Sequence, residues 1–231
     1  MSYEPFEGLA ERYDAWFDRP DGHALFAAEV ACIKSLLPAD LSGWVEVGVG
    51  TGRFAEALGV PEGIDPAGAM LNKAEQRGIS TIQGKAEELP YRTASLDGIL
   101  LAVTLCFLDA PEKAMREFAR VLKKDGLLVV GIVPRDSPWG HFYRAKGRDG
   151  HPFYSVAIFY TCEEVKQLAA SAGFTFVRAT STLAMGPDEQ VEDPQLRDGV
   201  VPAWGFVTMV FRTLERMTQQ GSGTAHEVIS E

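Results

Sequence analysis

The chain has 231 residues, of which 46% are hydrophobic and 23% are charged, and its formal net charge is −10 at pH 7. This composition is typical of a soluble globular protein that forms one domain with elaborations. The 22 basic residues are scattered, which argues against nucleic acid as a partner. No run approaches the ~20 apolar residues of a membrane span, and the N-terminal residues lack the apolar centre of a signal peptide. We therefore expect a cytoplasmic protein with no nucleic-acid partner and no membrane span.

The cysteines and histidines form neither a disulfide framework nor a metal-binding pattern. Cys32, Cys106 and Cys162 are few and far apart, which favours three small buried residues. The four histidines include no pair with the spacing of a zinc motif. The sequence therefore predicts no metal site.

The first half of the chain alternates between predicted helices and predicted strands. A helix over residues 22–37 has apolar residues at helical spacing, with Asp21 placed to cap it and Pro38 placed to end it. The elements that follow are a strand over 43–47, a helix over 53–58, a strand over 60–65, a helix over 67–77, and strands over 79–83 and 96–103.

A strongly amphipathic helix follows the fourth strand. Asp109 is placed to cap it and Pro111 lies in its first turn. The pair Asp125-Gly126 turns the chain into a continuously apolar strand over residues 127–133. A strand without alternation is typical of one buried on both faces in a parallel sheet, so this part of the chain predicts an α/β fold.

The last third of the chain loses this rhythm. Residues 134–160 are rich in aromatic side chains without clean periodicity. A helix over 161–172 begins at a candidate capping box of Thr161 and Glu164. Two further strands are predicted over 174–183 and 206–214, with a polar, turn-rich segment over 186–202 between them.

A glycine-rich turn follows the first predicted strand in the stretch WVEVGVGTGRF, residues 44–54. Gly48, Gly50 and Gly52 have the spacing G-x-G-x-G, which is neither the G-x-G-x-x-G of dinucleotide-binding folds nor a phosphate-binding P-loop. Glu46 precedes the loop, where a carboxylate suits a positively charged ligand better than a pyrophosphate. Asp65 ends the second strand, 17 residues after Gly48, where it can accept hydrogen bonds from both ribose hydroxyls. A cationic nucleoside such as S-adenosylmethionine fits these features.

With its neighbouring motifs, the loop resembles that of the class I S-adenosylmethionine-dependent methyltransferases. The chain is similar in particular to the small-molecule branch, methyltransferase type 11, which includes the quinone-biosynthesis C-methyltransferases. The matching stretches are VEVGVGTGRF, GIDPAGAMLNKA, GKAEELPY and SLDGILLAVTLCFLDAPEKAMREFARVLKKDGLLVV, with RYDAWF as a looser match. They cover residues 43–133 almost continuously and in the order of that family.

The resemblance implies a Rossmann-like, doubly wound fold. We expect a mostly parallel seven-stranded sheet with helices on both faces, an antiparallel C-terminal strand, and a small helical and aromatic lid. A single domain is expected over residues 1–218, with an N-terminal helical cap over 1–40 and a lid insertion over 134–160. Residues 219–231 are expected to form a flexible tail.

The resemblance also implies a set of residues around S-adenosylmethionine. The candidate cofactor-binding residues are Glu46, Gly48, Gly50, Gly52, Asp65, Pro66, Met70, Ala86, Glu87 and Ala102. The glycines would let the backbone approach the methionine part of the cofactor. Glu46 would orient the loop or the methionine ammonium, Asp65 would bind the ribose, and Pro66 would shape the turn. The structural alternatives are a buried, paired acid for Glu46 and a turn residue for Asp65.

The adenine end of the implied site contains one departure from the family. Met70, the amide of Ala86 and the side chain of Glu87 would lie near the adenine, and the carbonyl near Ala102 would face the methionine amine. The alternatives are a core residue for Met70 and an exposed charge for Glu87. Lys85 stands where the family often has Asp, and an ammonium group cannot accept a hydrogen bond from the adenine amino group. Adenine recognition then rests on Glu87 or on the backbone alone.

The methyl acceptor is expected to bind between the N-terminal segment and the lid. The aromatic residues there are Tyr13, Trp16, Phe17, Trp139, Phe142, Tyr143, Phe153, Tyr154, Phe159 and Tyr160. They favour a small aromatic or apolar acceptor, methylated by in-line displacement, although lid packing is the alternative role for most of them. The candidate general bases are Tyr13, His141, Tyr143 and His151.

Two other functions remain open from the sequence. A non-catalytic S-adenosylmethionine-binding module would keep the fold without the reaction, and Lys85 is the feature that favours it. An NAD(P)-dependent oxidoreductase would need a nucleotide loop of different spacing. We expect a monomer or a homodimer that acts on a small molecule.

Overall fold

The computed structural model describes residues 3–189 and 195–213, so the predicted tail over 219–231 lies outside the described residues. These residues form a single sheet in which the strands have the order β3-β2-β1-β4-β5-β8-β6-β7. The strands are β1 (Trp44–Val47), β2 (Glu62–Asp65), β3 (Ser80–Gln83), β4 (Leu96–Ala102), β5 (Leu122–Ile132), β6 (Phe174–Thr182), β7 (Arg197–Asp198) and β8 (Phe206–Thr213). The first five strands are parallel, and β8 is antiparallel to both of its neighbours, β5 and β6. The predicted Rossmann-like α/β class is confirmed.

Eight helices of α-type accompany these strands in the described part of the chain. They are α1 (Glu4–Gly8), α2 (Ala10–Trp16), α3 (Pro20–Lys34), α4 (Arg53–Leu58), α5 (Gly68–Gln76), α6 (Pro111–Val121), α7 (Pro138–Arg148) and α8 (Cys162–Ser171). A short 3-10 helix, Leu105–Phe107, follows β4. The first three α-helices precede the sheet, and the others connect its strands.

Alternate residues of the central strands supply two separate cores. Ile99 and Leu101 of β4 belong to the core that also contains α6 and α8 residues. Leu100 and Ala102 point to the opposite core, together with residues of α3, α4 and α5. Because successive side chains of a strand face opposite sides, burial on both sides requires the continuous apolar runs seen in the sequence.

The sheet has one more strand than the sequence predicts. The extra strand, β7, pairs Arg197 with Ser181 and Asp198 with Thr180 at the edge of β6. It lies in the turn-rich segment over residues 186–202. Two residues are too few to produce an alternating pattern in the sequence. The formation of β7 therefore depends on pairing with the edge of β6 and not on a pattern in its own sequence.

Two predicted helix starts and one strand start are wrong. The helix α3 begins at Pro20 after Arg19, so Asp21 lies in its first turn and does not cap it. The N-cap of α6 is Ala110, not Asp109, and its backbone N–H donates to Glu87 Oε1 at 3.0 Å. The strand β5 begins directly after α6, because Leu122 pairs with Leu96 of β4.

The helix α7 lies in the segment over residues 134–160 that is expected to form a helical and aromatic lid, but the sequence predicts no bounds for a helix there. Ser137 caps it by accepting a hydrogen bond from the Gly140 N–H at 3.0 Å. Trp139, Phe142 and Tyr143 follow the i, i+3, i+4 spacing of a helix face. The two glycines inside this stretch weaken intrinsic helix propensity, so packing of the aromatic face stabilises the helix more than propensity does.

Candidate functional site

The glycine loop turns the chain from β1 into α4 at the carboxyl edge of the sheet. Gly48 has φ 72°, and a Cβ there would lie 2.1 Å from Thr104 Cγ2. The N–H groups of Gly48 and Val49 donate to the Ile64 carbonyl at 2.8 and 3.1 Å, which ties the loop to β2. Gly52 has φ 82°, and a Cβ there would lie 2.9 Å from Ala74 Cα. The loop therefore requires glycine both for its backbone angles and for close contact with the neighbouring elements.

Asp65 ends β2 beside this loop. Its Oδ2 accepts a hydrogen bond from the Gly50 N–H at 3.0 Å, and its Oδ1 accepts one from the Ala67 N–H at 2.9 Å. Burial raises the pKa of Asp65 to about 6, although these two hydrogen bonds act in the opposite direction. Each carboxylate oxygen can accept a further hydrogen bond, so Asp65 can still bind ligand hydroxyls in the cavity.

Glu46 lies buried in β1 and lines the same cavity as Asp65. Burial raises its pKa well above the ordinary value, a hydrogen bond from the Ala55 N–H opposes this rise, and the charge of Asp65 adds to it. Its Oε2 has no hydrogen-bond partner among the described residues. A buried carboxyl oxygen without a partner is costly and suits an ammonium group of a ligand.

The carboxyl end of β4 forms the opposite wall. The Thr104 hydroxyl lies 2.9 Å from the Ala102 carbonyl and 3.2 Å from the Gly48 carbonyl. Val103, between Ala102 and Thr104, has φ 47°. A left-handed β-branched residue is costly and is found where function constrains the backbone. Val103 and Thr104 are not among the residues predicted for the site, although they directly follow Ala102 in one of the matching stretches.

A first cavity lies between these elements and the N-terminal helices. The predicted residues that line it are Glu46, Gly48, Gly50, Asp65, Pro66, Ala86, Glu87 and Ala102. Lys85 also lines it, with its Nζ 5.1 Å from the centre of the Tyr3 ring. Gly52 and Met70 do not line it: Gly52 packs against α5, and the Met70 side chain is buried beside Ala10 and Ala67. The structure therefore brings together eight of the ten predicted cofactor-binding residues.

A second, larger cavity adjoins the first. The residues that line both cavities are Tyr13, Phe17, Phe54, Val103 and Phe107. All ten aromatic residues predicted around the acceptor line the second cavity. Its rings are in contact with one another: the Tyr143 and Tyr154 centroids are 4.6 Å apart, and the His151 and Tyr154 centroids 4.4 Å.

Three of the four candidate bases line the second cavity, and exposed His141 lines neither cavity. Burial raises the pKa of the phenols of Tyr13 and Tyr143, so these groups stay protonated at neutral pH and act as hydrogen-bond donors. Burial, together with the charges of Arg12 and Lys146, lowers the pKa of His151. The His151 ring is therefore largely neutral at pH 7 and is able to accept a proton.

Glu29 is a residue of the second cavity that the sequence predictions missed. It lies on α3, is 8% exposed, and has a pKa raised to about 8 by burial. Among the described residues it forms neither a hydrogen bond nor an ion pair. A signal was present, because Glu29 occupies a helical stripe otherwise formed by Leu25, Ala28 and Cys32. A charged residue in an apolar stripe often has a functional reason.

Residues 3–189 and 195–213 contain no group of three His, Cys, Asp or Glu side chains that is arranged to hold a metal ion. No helix in this part of the chain is both long and apolar enough to cross a bilayer.

Comparison with known proteins gives consistent results. A family model described as a methyltransferase domain matches residues 45–130. A Mycobacterium tuberculosis protein described as uncharacterized is 38% identical over 201 residues, covering 87% of this chain and 70% of the relative. A Thermotoga maritima structure, named as an S-adenosylmethionine-dependent methyltransferase and possible histamine N-methyltransferase, is 36% identical with a TM-score of 0.85, covering 92% of this chain and 99% of that one. A Campylobacter jejuni ubiquinone/menaquinone biosynthesis C-methyltransferase is 41% identical over 71 residues, 30% of each chain.

The fold and the site define a Rossmann-like α/β protein with a cavity lined by glycines and buried acids at the carboxyl edge of its sheet. Within that class, the chain belongs to the S-adenosylmethionine-dependent methyltransferases. S-adenosylmethionine is the cofactor of this family, and the resemblance seen in the sequence is confirmed.

Proposed function

We propose that this protein transfers a methyl group from S-adenosylmethionine to a small acceptor with an aromatic or apolar body. The observation that carries the proposal is the pair of adjoining cavities that share Tyr13, Val103 and Phe107. The first cavity has the polar groups that a nucleoside with an amino-acid end requires, and the second is lined mainly by rings. A shared wall lets the two ligands meet.

The residues of the first cavity fit the cofactor in the following way. Asp65 would accept hydrogen bonds from the ribose hydroxyls, and Glu46 Oε2 would pair with the methionine ammonium. Gly48 and Gly50 would leave room for the methionine part, with the Ala102 carbonyl opposite. These assignments satisfy the buried acceptors that the protein itself leaves available.

The adenine would lie at the other end of the cavity. Pro66, the amide of Ala86 and the side chain of Glu87 would contact it. Because one oxygen of Glu87 already accepts a hydrogen bond from Ala110, the other is available for the adenine amino group. Gly52 and Met70 would act indirectly, by packing α4 and α5 beneath the loop.

S-adenosylmethionine supplies a methyl group that is already activated by its sulfonium. The protein has then to hold the acceptor in line and to exclude water, and positioning alone can lower the barrier by about 7–11 kcal/mol. The ring-lined walls of the second cavity perform both tasks. A base is needed only if the acceptor must lose a proton, and His151 is the candidate whose lowered pKa is compatible with that role.

The first test is cofactor binding. We expect S-adenosylmethionine and S-adenosylhomocysteine to raise the melting temperature, because a ligand that binds only the folded state stabilises it by RT ln(1 + [L]/Kd). NAD serves as the control and is expected to produce no shift. If neither sulfur compound has an effect at millimolar concentration, the proposal fails.

The second test is methyl transfer. The labelled cofactor is incubated with phenols, quinols, thiols and amines, and histamine is included because the Thermotoga maritima structure carries that substrate in its name. Labelling of at least one acceptor is expected. Tight cofactor binding without any labelled product would favour a non-catalytic binding module instead, the alternative suggested by Lys85.

A further inference from the structure

The Glu29 carboxyl group has no counter-charge among the residues that the structure describes. It lies on α3, 8% exposed, and faces the second cavity. Its pKa of about 8 is the result of burial, so it is ionised only in mildly alkaline solution when the cavity holds no ligand. Burial of a carboxyl group without a hydrogen bond costs free energy. The apolar residues on either side of it show that a leucine or an alanine would satisfy the packing of α3.

The basic residues around the same cavity do not neutralise Glu29. Arg12, Arg19 and Lys146 line the cavity, but none forms an ion pair with Glu29 in the described part of the chain. The Nζ of Lys146 lies instead 4.3 Å from the centre of the Phe142 ring. Within residues 3–189 and 195–213 no positive charge is paired with Glu29, so a cationic ligand would supply the missing partner.

Aromatic rings line the same cavity as the Glu29 carboxyl group. Tyr13, Tyr143 and Tyr154 line this cavity together with Glu29. Burial chiefly raises the pKa of these three phenols, and the negative charge of Glu29 adds to the rise. The Trp139 and Tyr143 ring centroids are 5.9 Å apart. The faces of such rings attract cations, and a nearby carboxylate adds to this attraction.

We propose that the methyl acceptor is a small molecule that carries an ammonium group in solution, and that Glu29 binds this ammonium group in the second cavity. The protonated nitrogen has no lone pair, so it serves for binding, and it would receive the methyl group only after its proton had passed to the Glu29 carboxylate. The proposal rests on the proposed function for the identity of the ligand as the methyl acceptor. The binding of an ammonium group by Glu29 can be measured without any methyl transfer. A neutral ligand of the same shape would leave the carboxylate unpaired and would bind more weakly.

The test compares two probes of the same size at pH 8.5 on protein saturated with S-adenosylhomocysteine. The probes are 2-phenylethylamine and 2-phenylethanol, which differ in the amino and hydroxyl groups. Titration calorimetry should show that the amine binds at least about tenfold more tightly than the alcohol, because a hydrogen bond to a charged group is involved. In Glu29→Gln the amine and the alcohol should bind with about equal affinity, while the affinity for S-adenosylhomocysteine stays unchanged.

Matched variants separate a binding role from a structural one. Glu29→Asp keeps the charge and should retain part of the amine preference. Glu163→Gln removes a carboxylate from the exposed surface of α8 and should leave the preference intact. Equal binding of the two probes by the unmodified protein, binding of neither probe at millimolar concentration, or an amine preference that survives in Glu29→Gln would overturn the inference.

The outcome for the proposed function is independent of this result. An amine preference that Glu29→Gln abolishes, with no methyl transfer to any acceptor, would support the ammonium site and contradict the methyltransferase activity. Labelling of a neutral phenol at equal rates by the unmodified protein and by Glu29→Gln would support the activity and overturn the ammonium site.

Discussion

Three buried acids, Glu29, Glu46 and Asp65, share one physical property. Each has a pKa raised chiefly by burial, and each faces a cavity. Perturbed carboxyl groups in clefts mark binding sites because the missing hydrogen bonds and charges are left for a ligand to supply. Asp65 differs from the other two in that both of its oxygens already accept backbone hydrogen bonds.

Asp65 should make cofactor binding depend on pH. The ribose hydroxyls bind the ionised carboxyl best, and the pKa of this group is raised to about 6. Affinity for S-adenosylhomocysteine should therefore rise as the pH increases from 5 through 6 and then level off near pH 7.5. Calorimetric titrations at these pH values measure this. In Asp65→Ala the affinity should fall by more than about 1 kcal/mol at pH 7.5, and an unchanged affinity would exclude the ribose role.

At the scale of elements, a partly buried acid, Asp14, joins the short helix α2 to two arginines of the Rossmann-like core. Asp14 binds Arg53 of α4 at 2.9 Å and Arg77, just after α5, at 3.0 Å. Burial opposes ionisation of Asp14, but the hydrogen bonds from these arginines outweigh it and lower its pKa to about 2. Tyr13, the adjacent residue, lines both cavities. The ion cluster therefore holds part of the wall of the site.

Asp14→Asn should loosen α2. Removal of the carboxylate leaves two partly buried arginines without their shared partner, with an expected loss of about 1–3 kcal/mol in the free energy of unfolding. Amide hydrogen exchange should accelerate in α1 and α2. Cofactor affinity should also fall, because the loosened helix carries part of the cavity wall. Glu11→Gln is the control, since Glu11 is 90% exposed and pairs only at the surface with Lys73. If both variants behave alike, Asp14 does not anchor the helix.

At the scale of the whole molecule, the two cavities lie where the strand order reverses between β1 and β4. Ligands of open α/β sheets bind at such points because the connections leave in opposite directions and open a crevice. The crevice here extends from the glycine loop to α7, and the rings common to both cavities form its middle. A substitution among these shared rings should weaken binding of both the cofactor and the acceptor. A substitution at the α7 end should weaken binding of the acceptor only.

Tyr13→Ala and Tyr143→Ala test this arrangement. Tyr13 lines both cavities and Tyr143 only the second. Truncation of Tyr13 should weaken S-adenosylhomocysteine binding by roughly fivefold or more, since it removes an aromatic contact. Tyr143→Ala should leave that affinity within about twofold and reduce only acceptor binding. Equal cofactor affinities in the two variants would contradict a shared wall at Tyr13.

Short-range patterns in the sequence are sufficient to predict much of the structure of this protein. The apolar runs, the glycine loop and the Thr161–Glu164 capping box depend on neighbouring residues, and the structure contains all of them. The order of motifs from the loop to the strand β5 is enough to predict the family and the cofactor. Each feature reflects local backbone geometry, which a few adjacent side chains can determine.

Contacts between segments distant in the sequence could be identified only from the tertiary structure. The position of β8 between β5 and β6, the pairing of β7 and the packing of the α7 aromatic face depend on edges and surfaces formed elsewhere in the chain. Glu29 lines the same cavity as Tyr143 because α3 and α7 pack on the same side of the sheet. The cofactor loop is local in sequence and could be predicted. The acceptor cavity is assembled from separate segments, and these come together only when the whole core is buried.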